Sequence, residues 1–298
     1  MPFLVFTLYS LAPQMSWAQR PAYAPSFTQP AIADEKASVE TPTAAETTDN
    51  QIQEKVFQQP QQRSKWGLGL GFGWLPDYPG AENTGFHFLP FPIYRGDRFR
   101  MDRLDGITGR VGNTSMWKLS WNFAFQFPTP SKKIRVRQSM ANLDWLLSIG
   151  PMIQGTLWQS GKHRLVFRAP VRANLCTNFS KTWDFCGVSF NPGFRFHQDL
   201  EEHGNLIYRI EAFADTWEYN QYFYGVSAED ALPWRPAYKA AAGFLGWVAG
   251  VIHTWPLGSW DLVTALSYYD YSLSTNKASP LFLKPHNFSA FFALSIDL

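Results

Sequence analysis

The chain has 298 residues, enough for one large domain or two small ones. It is 45% hydrophobic and 17% aromatic, with 13 Trp, 12 Tyr and 25 Phe, yet its mean hydropathy is −0.23. No apolar run reaches the ~18 residues of a membrane helix, so helical spans are excluded beyond the extreme N-terminus. A formal net charge of +2 is too small to argue for a nucleic-acid partner.

Residues Phe3–Leu11 form a short apolar run before Ser16-Trp17-Ala18. This reads as a secretory signal over 1–18, although no Lys or Arg precedes the run. Cleavage after Ala18 would leave Gln19, which gives no lipoprotein anchor. Residues 19–64 are rich in Pro, Ala, Thr, Gln and Glu and poor in large apolar side chains. They read as a disordered periplasmic linker, because so little burial cannot offset the entropy of ordering. As a flexible coil it would span roughly 35–40 Å.

From Trp66 the pattern changes. Trp66, Leu68, Leu70, Phe72 and Trp74 alternate with glycines. Side chains on a strand alternate faces, so this is a strand with one bulky face and one bare one. The bare face predicts close backbone approach or a tight barrel corner. Pro76-Asp77 and Pro79-Gly80 turn the chain, Phe86–Tyr94 runs back, and Arg95-Gly96-Asp97 turns again. Short strands at Asp97–Arg103 and Ile107–Gly112 come next. Met116–Phe127 then sets Trp117, Leu119, Trp121, Phe123, Phe125 and Phe127 on one face, against Lys118, Ser120, Asn122 and Gln126 on the other. A soluble strand rarely offers so much apolar surface to one side; lipid accounts for it. The alternative is a soluble sandwich or lipocalin-like barrel.

Residues 128–141 form a loop with Lys132, Lys133, Arg135 and Arg137, which Arg110 would join if it lies near. Strands are expected at Leu143–Trp158, His163–Leu175, Phe185–Asp199, Leu206–Tyr224, Ala242–Trp255, Trp260–Tyr271 and His286–Leu298. Long and short connections alternate, as in an outer-membrane barrel with both ends in the periplasm. The expectation is all-β: a transmembrane antiparallel up-and-down β-barrel of about 12 strands over 65–298.

The same residues resemble the MipA/OmpV family of outer-membrane proteins (MltA-interacting protein-like). The likeness rests on the stretch from Gly67 to Phe99, on Tyr224-Gly225-Val226-Ser227-Ala228 with Pro236-Ala237-Tyr238, and on the alternating C-terminal strand. That strand ends in Leu298, where the family usually ends in an aromatic. The resemblance implies a non-enzymatic scaffold in the Gram-negative outer membrane, joining a lytic transglycosylase to a peptidoglycan synthase. A small anion-favouring pore and a surface adhesin or antigen are the alternatives.

The polar faces collect Arg98, Arg100, Arg164, Arg168, Arg172, Arg195 and Arg209 with Glu211 and Asp215. These are expected to form a lumen-facing charged network. Arg164, Arg168 and Arg172 share one face of one strand, at intervals of about 13 Å. Such a ladder needs either carboxylates such as Glu211 and Asp215 opposite it or a wet lumen. Cys176 and Cys186 flank an outer loop in an oxidising compartment, which predicts a disulfide. Strand parity puts the two on opposite faces, so a bridge requires a regular strand to stop short of one of them. His286 and Ser289 also point to opposite faces, and the six histidines show no pair at spacing two. No catalytic residue, metal or cofactor is therefore expected, and the barrel is read as a monomer among outer-membrane lipid.

Overall fold

The computed structural model describes residues 66–96, 99–102, 106–113, 116–180 and 183–298. The signal-like segment, the 19–64 linker and Arg98 lie outside the described residues.

Thirteen strand segments form one antiparallel sheet that closes on itself: β1 Trp66–Pro76, β2 Thr84–Arg95, β3 Phe99–Asp102, β4 Gly106–Asn113, β5 Trp117–Gln126, β6 Trp145–Ser160, β7 His163–Thr177, β8 Trp183–Phe190, β9 Gly193–Asp199, β10 Asn205–Asp215, β11 Gly243–Leu257, β12 Trp260–Asp270 and β13 His286–Asp297. The β10–β11 and β13–β1 ladders complete the ring. β8 and β9 both lie between β7 and β10, so the thirteen segments make a twelve-strand barrel. The Asn191-Pro192 step divides what the sequence reads as one strand, because proline lacks the N–H a ladder needs.

The alternation in the sequence is the alternation in space. On β1 the even side chains are exposed and the odd glycines buried. The rings of Phe91 and Phe291 lie over Gly69 and Gly71; a Cβ on Gly71 would sit 2.8 Å from the Phe291 ring. The bare face thus makes room for two inward phenylalanines, which join Ile207, Ile252 and Val263 in an apolar cluster inside the barrel. Outside, Trp121 is 47% exposed while its neighbour Asn122 is 2%. Trp66, Trp117, Trp158, Trp255 and Trp260 are exposed toward the short-turn end, and Trp74, Trp183 and Phe86 toward the other. This is the aromatic girdle of a membrane barrel. Among the described residues no helix is long and apolar enough to cross a membrane.

β3 is only four residues long, and it pairs with β2 only at Tyr94 and Arg95 among the described residues. Pro90 and Pro92 occupy the stretch of β2 beyond that pairing, where a missing N–H costs least. Toward the long-loop end, His87 of β2 stacks on Phe127 beyond β5 at 4.6 Å.

A second expected strand also departs from expectation. Leu206–Tyr224 is not a single strand: β10 stops at Asp215 and helix α1 runs from Trp217 to Tyr224. Alternation is already lost after Asp215, since Asn220, Phe223 and Tyr224 are buried together at helical spacing. Glu218 lies in the first turn, where the helix dipole favours negative charge.

Candidate functional site: the charged interior and its outer cap

Inward positions on β5 to β10 carry the charged network. Glu211 pairs with Arg195 at 3.2 Å and with Arg209 at 3.8 Å, and Arg209 also donates to Ser267 Oγ at 2.9 Å. The β7 ladder is held differently. Arg172 donates through Nε to Asn122 Oδ1 and through Nη1 to Asn191 Oδ1, both at 2.7 Å. Arg168 donates to Met152 Sδ at 3.0 Å, and Arg164 is half-buried on the same face. Asp215 is buried at the top of β10, and its Oδ2 has no hydrogen-bond partner. The structure therefore brings Glu211 into ion pairs with Arg195 and Arg209, while the hydrogen bonds of Arg172 to Asn122 and Asn191 go to neutral amides and one from Arg168 goes to a thioether. Glu211 lies near enough to attract both of these arginines as well. This gives Asn122 a role. An arginine there would meet Arg172, so the lumen-facing position is not the permissive one that parity alone suggests.

Arg100 lies on β3, facing inward beside Thr108. Arg110, on β4 opposite Ser120, faces the same lower interior and does not join the basic loop after β5.

Cys176 and Cys186 are joined by a disulfide with Cα atoms 5.9 Å apart, and neither strand stops short of them. Instead, Ala173 faces Val188 and Leu175 faces Phe185, two steps on β7 against three on β8. The extra residue falls at Cys186-Gly187, where Gly187 has φ +87°. A bulge of this kind needs glycine and reverses the strand's parity on its far side, so both sulfurs turn inward. Sequence parity fails here because a single bulge is silent in a periodic pattern.

The long connections do not hang free. Those at 77–83, 127–144, 216–242 and 271–285 fold over the barrel end around a core of their own. In that core Tyr78 is 1% exposed and Phe223, Tyr224 and Leu281 are 0%. Tyr78 donates to Leu281 O at 2.6 Å and Tyr224 to Pro79 O at 2.8 Å. The first two of the three stretches behind the family resemblance thus meet in one cap. Arg235, fully buried, donates to Val136 O at 2.8 Å, Gln138 O at 3.0 Å and Asp230 O at 2.6 Å. Arg137 donates to Phe223 O at 2.9 Å. Burial holds the Tyr78 phenol above and the Arg137 guanidinium below their ordinary values. Neither buried arginine is legible from the sequence, where both sit in polar, aperiodic loop segments.

A family model described as "MltA-interacting protein MipA" matches residues 68–297, nearly all of the barrel. The chain belongs to this family. MipA membership and the fold make it an outer-membrane β-barrel. No curated protein matches the chain. A solved structure described as a bacterial polysaccharide outer membrane secretin covers 80% of this chain and 100% of that one, at 10% identity and a TM-score of 0.38. That likeness is too loose to argue from.

His286 and Ser289 part as expected. The imidazole stands 3.6 Å from Asp270 and accepts or donates at Tyr268 Oη, 2.9 Å away, on the outer side. Ser289 is buried on the inner one. Among the described residues no cluster of His, Cys, Asp and Glu could hold a metal ion.

Proposed function

We propose that this MipA-family barrel is a non-enzymatic outer-membrane scaffold for murein-hydrolysing and murein-synthesising enzymes, a lytic transglycosylase and a peptidoglycan synthase, and that it conducts no ions. The observation that carries the reading is the cap. A conducting barrel needs a continuous wet path, whereas here the long-loop end is packed around Tyr78, Phe223, Tyr224 and Leu281 and bolted by Arg235. The family's own description names an MltA-interacting protein, and contact with a partner needs no open lumen. On this reading the short turns and the 19–64 linker lie in the periplasm, on the side where murein is built, and the barrel works as a monomer.

A second reading has one observation in its favour. Phe179, Trp217, Trp234 and Leu273 are 58%, 52%, 53% and 71% exposed on the long-loop end. Such side chains suit adhesion to another surface.

Pull-down from crosslinked envelopes with this chain as bait tests the scaffold. Recovery of both murein enzyme classes is expected; recovery of neither above a control barrel refutes it. Loss of host-cell binding in a deletion strain would favour the adhesin. Steady anion-selective current in planar bilayers, abolished by Gln at Arg164, Arg168 and Arg172, would favour the pore.

A further inference from the structure

The barrel wall is incomplete between β2 and β5 in its long-loop half. The β3–β4 hairpin that separates these strands is short: its last pair is Asp102 with Gly106, and only residues 103–105 join the two along the chain. On one side the hairpin reaches β2 at Arg95 and Tyr94, and on the other it reaches β5 as far as Phe123. Beyond that level, among the described residues, 84–92 of β2 pair only with β1 and 124–126 of β5 only with β6. The stack of His87 on Phe127 closes the break from above. A notch remains between the two strands. At a rise of about 3.4 Å per residue it is roughly 10 Å tall along β5 and roughly 20 Å along β2. Ala124 shows that it is open: it shares the inward face with Asn122, which is buried, yet Ala124 itself is exposed. Across the notch Leu89 and Phe91 face inward and are half-buried, and Phe91 packs against the apolar cluster inside the barrel.

We propose that this notch binds an acyl chain of a membrane lipid, which enters from the bilayer and lies against Leu89, Phe91 and Ala124. The mouth opens on the lipid face, where Phe88 and Phe125 are exposed. It lies below Phe86, which stands 89% exposed in the girdle, and so at the depth of the acyl chains. Another polypeptide strand would need a ladder along the free side of β2, and Pro90 and Pro92 deny it one. Each is level with a β1 residue, Leu70 and Leu68, and a proline holds such a position only where its missing N–H would point away from that partner, into the notch. The same two prolines remove donors that lipid would otherwise leave unsatisfied. Water needs polar groups to hold it, whereas the side chains that face the notch from both strands are apolar. An acyl chain gains apolar contact there and asks for no hydrogen bond. The site is independent of the scaffold reading, since it uses neither the cap nor a protein partner, whichever end of the barrel faces the periplasm.

The test uses the full chain folded into vesicles of phosphatidylcholine in which one acyl chain carries a mid-chain diazirine. After irradiation, the labelled residues are mapped by digestion and mass spectrometry. Leu89 and Phe91 should be labelled within threefold of the outward Phe88, although both face inward. Gln154 is the control: it is half-buried and faces inward on β6, where the ladders on both sides are intact. It should be labelled at least tenfold less. Ala124→Trp should fill the notch and cut the labelling of Leu89 and Phe91 at least fivefold, with Phe88 unchanged. Heat-modifiable gel mobility reports whether the variant folds; if it does not, Ala124→Leu is judged by the same loss. Labelling of Leu89 and Phe91 no stronger than that of Gln154 overturns the proposal and leaves a notch that is packed shut or wet. Labelling that a folded Ala124 variant does not reduce overturns it too.

Discussion

Arg235→Met should loosen the cap without unfolding the barrel. The side chain is completely buried and donates four hydrogen bonds to the carbonyls of Val136, Gln138 and Asp230. Methionine fills much of the volume but donates nothing, so three carbonyls lose a charged partner. Unpaired buried acceptors cost about 1–3 kcal/mol each. The three losses are not additive, and about 3–5 kcal/mol is the expected total. At about 1.4 kcal/mol per tenfold, even the lower figure raises the local opening constant by roughly 150-fold. Hydrogen exchange reads this directly at the Leu232 and Arg235 amides, which bond each other's carbonyls. It reads it also at Val226 and Tyr238, which do the same. Amides of β1 and β13 should keep their protection, because their ladder does not involve the loops. Exchange at the four cap amides within threefold of the parent, in a folded variant, would refute the claim that Arg235 holds the cap together.

Trp121→Arg puts a charge on the lipid face near mid-strand and should cost about 2–4 kcal/mol in denaturant unfolding from bilayers; a loss under 1 kcal/mol would mean that this face does not meet lipid. Glu211→Leu leaves Arg195 and Arg209 without their carboxylate and should destabilise by about 3–5 kcal/mol. Restoring neutrality with Arg195→Met should recover part of that loss, and no recovery would argue against the pair. Gly187→Val should prevent closure of the bulge, because φ is +87° and a Cβ would sit 2.5 Å from Thr216 Oγ1. The measurable outcome is free thiol at Cys176 and Cys186 under conditions where the parent has none; a fully oxidised variant would show the bulge to be dispensable.

The period-two pattern determined most of the wall before any coordinates. A strand with one face in lipid and one in a small lumen must alternate, so Trp117–Gln126 and the glycine face of β1 are legible residue by residue. Turn chemistry likewise placed the short connections. Tertiary structure decided what has no period. The helix at Trp217–Tyr224 exists because its buried face packs into the cap. The local signal, the i, i+3, i+4 spacing of Asn220, Phe223 and Tyr224, covers only two turns and shows as a helix only once that face is seen to be buried. The bulge at Gly187 shifts register by one residue, a change too small to show in composition yet enough to reverse which way Cys186 points. The partners of the inward arginines were also out of reach. Alternation says that Arg172 faces the lumen, but strand order across the barrel alone puts Asn122 and Asn191, and not a carboxylate, within 2.7 Å of it. Periodicity fixes the direction of a side chain, whereas its neighbour across a closed sheet depends on how the whole ring of strands is staggered.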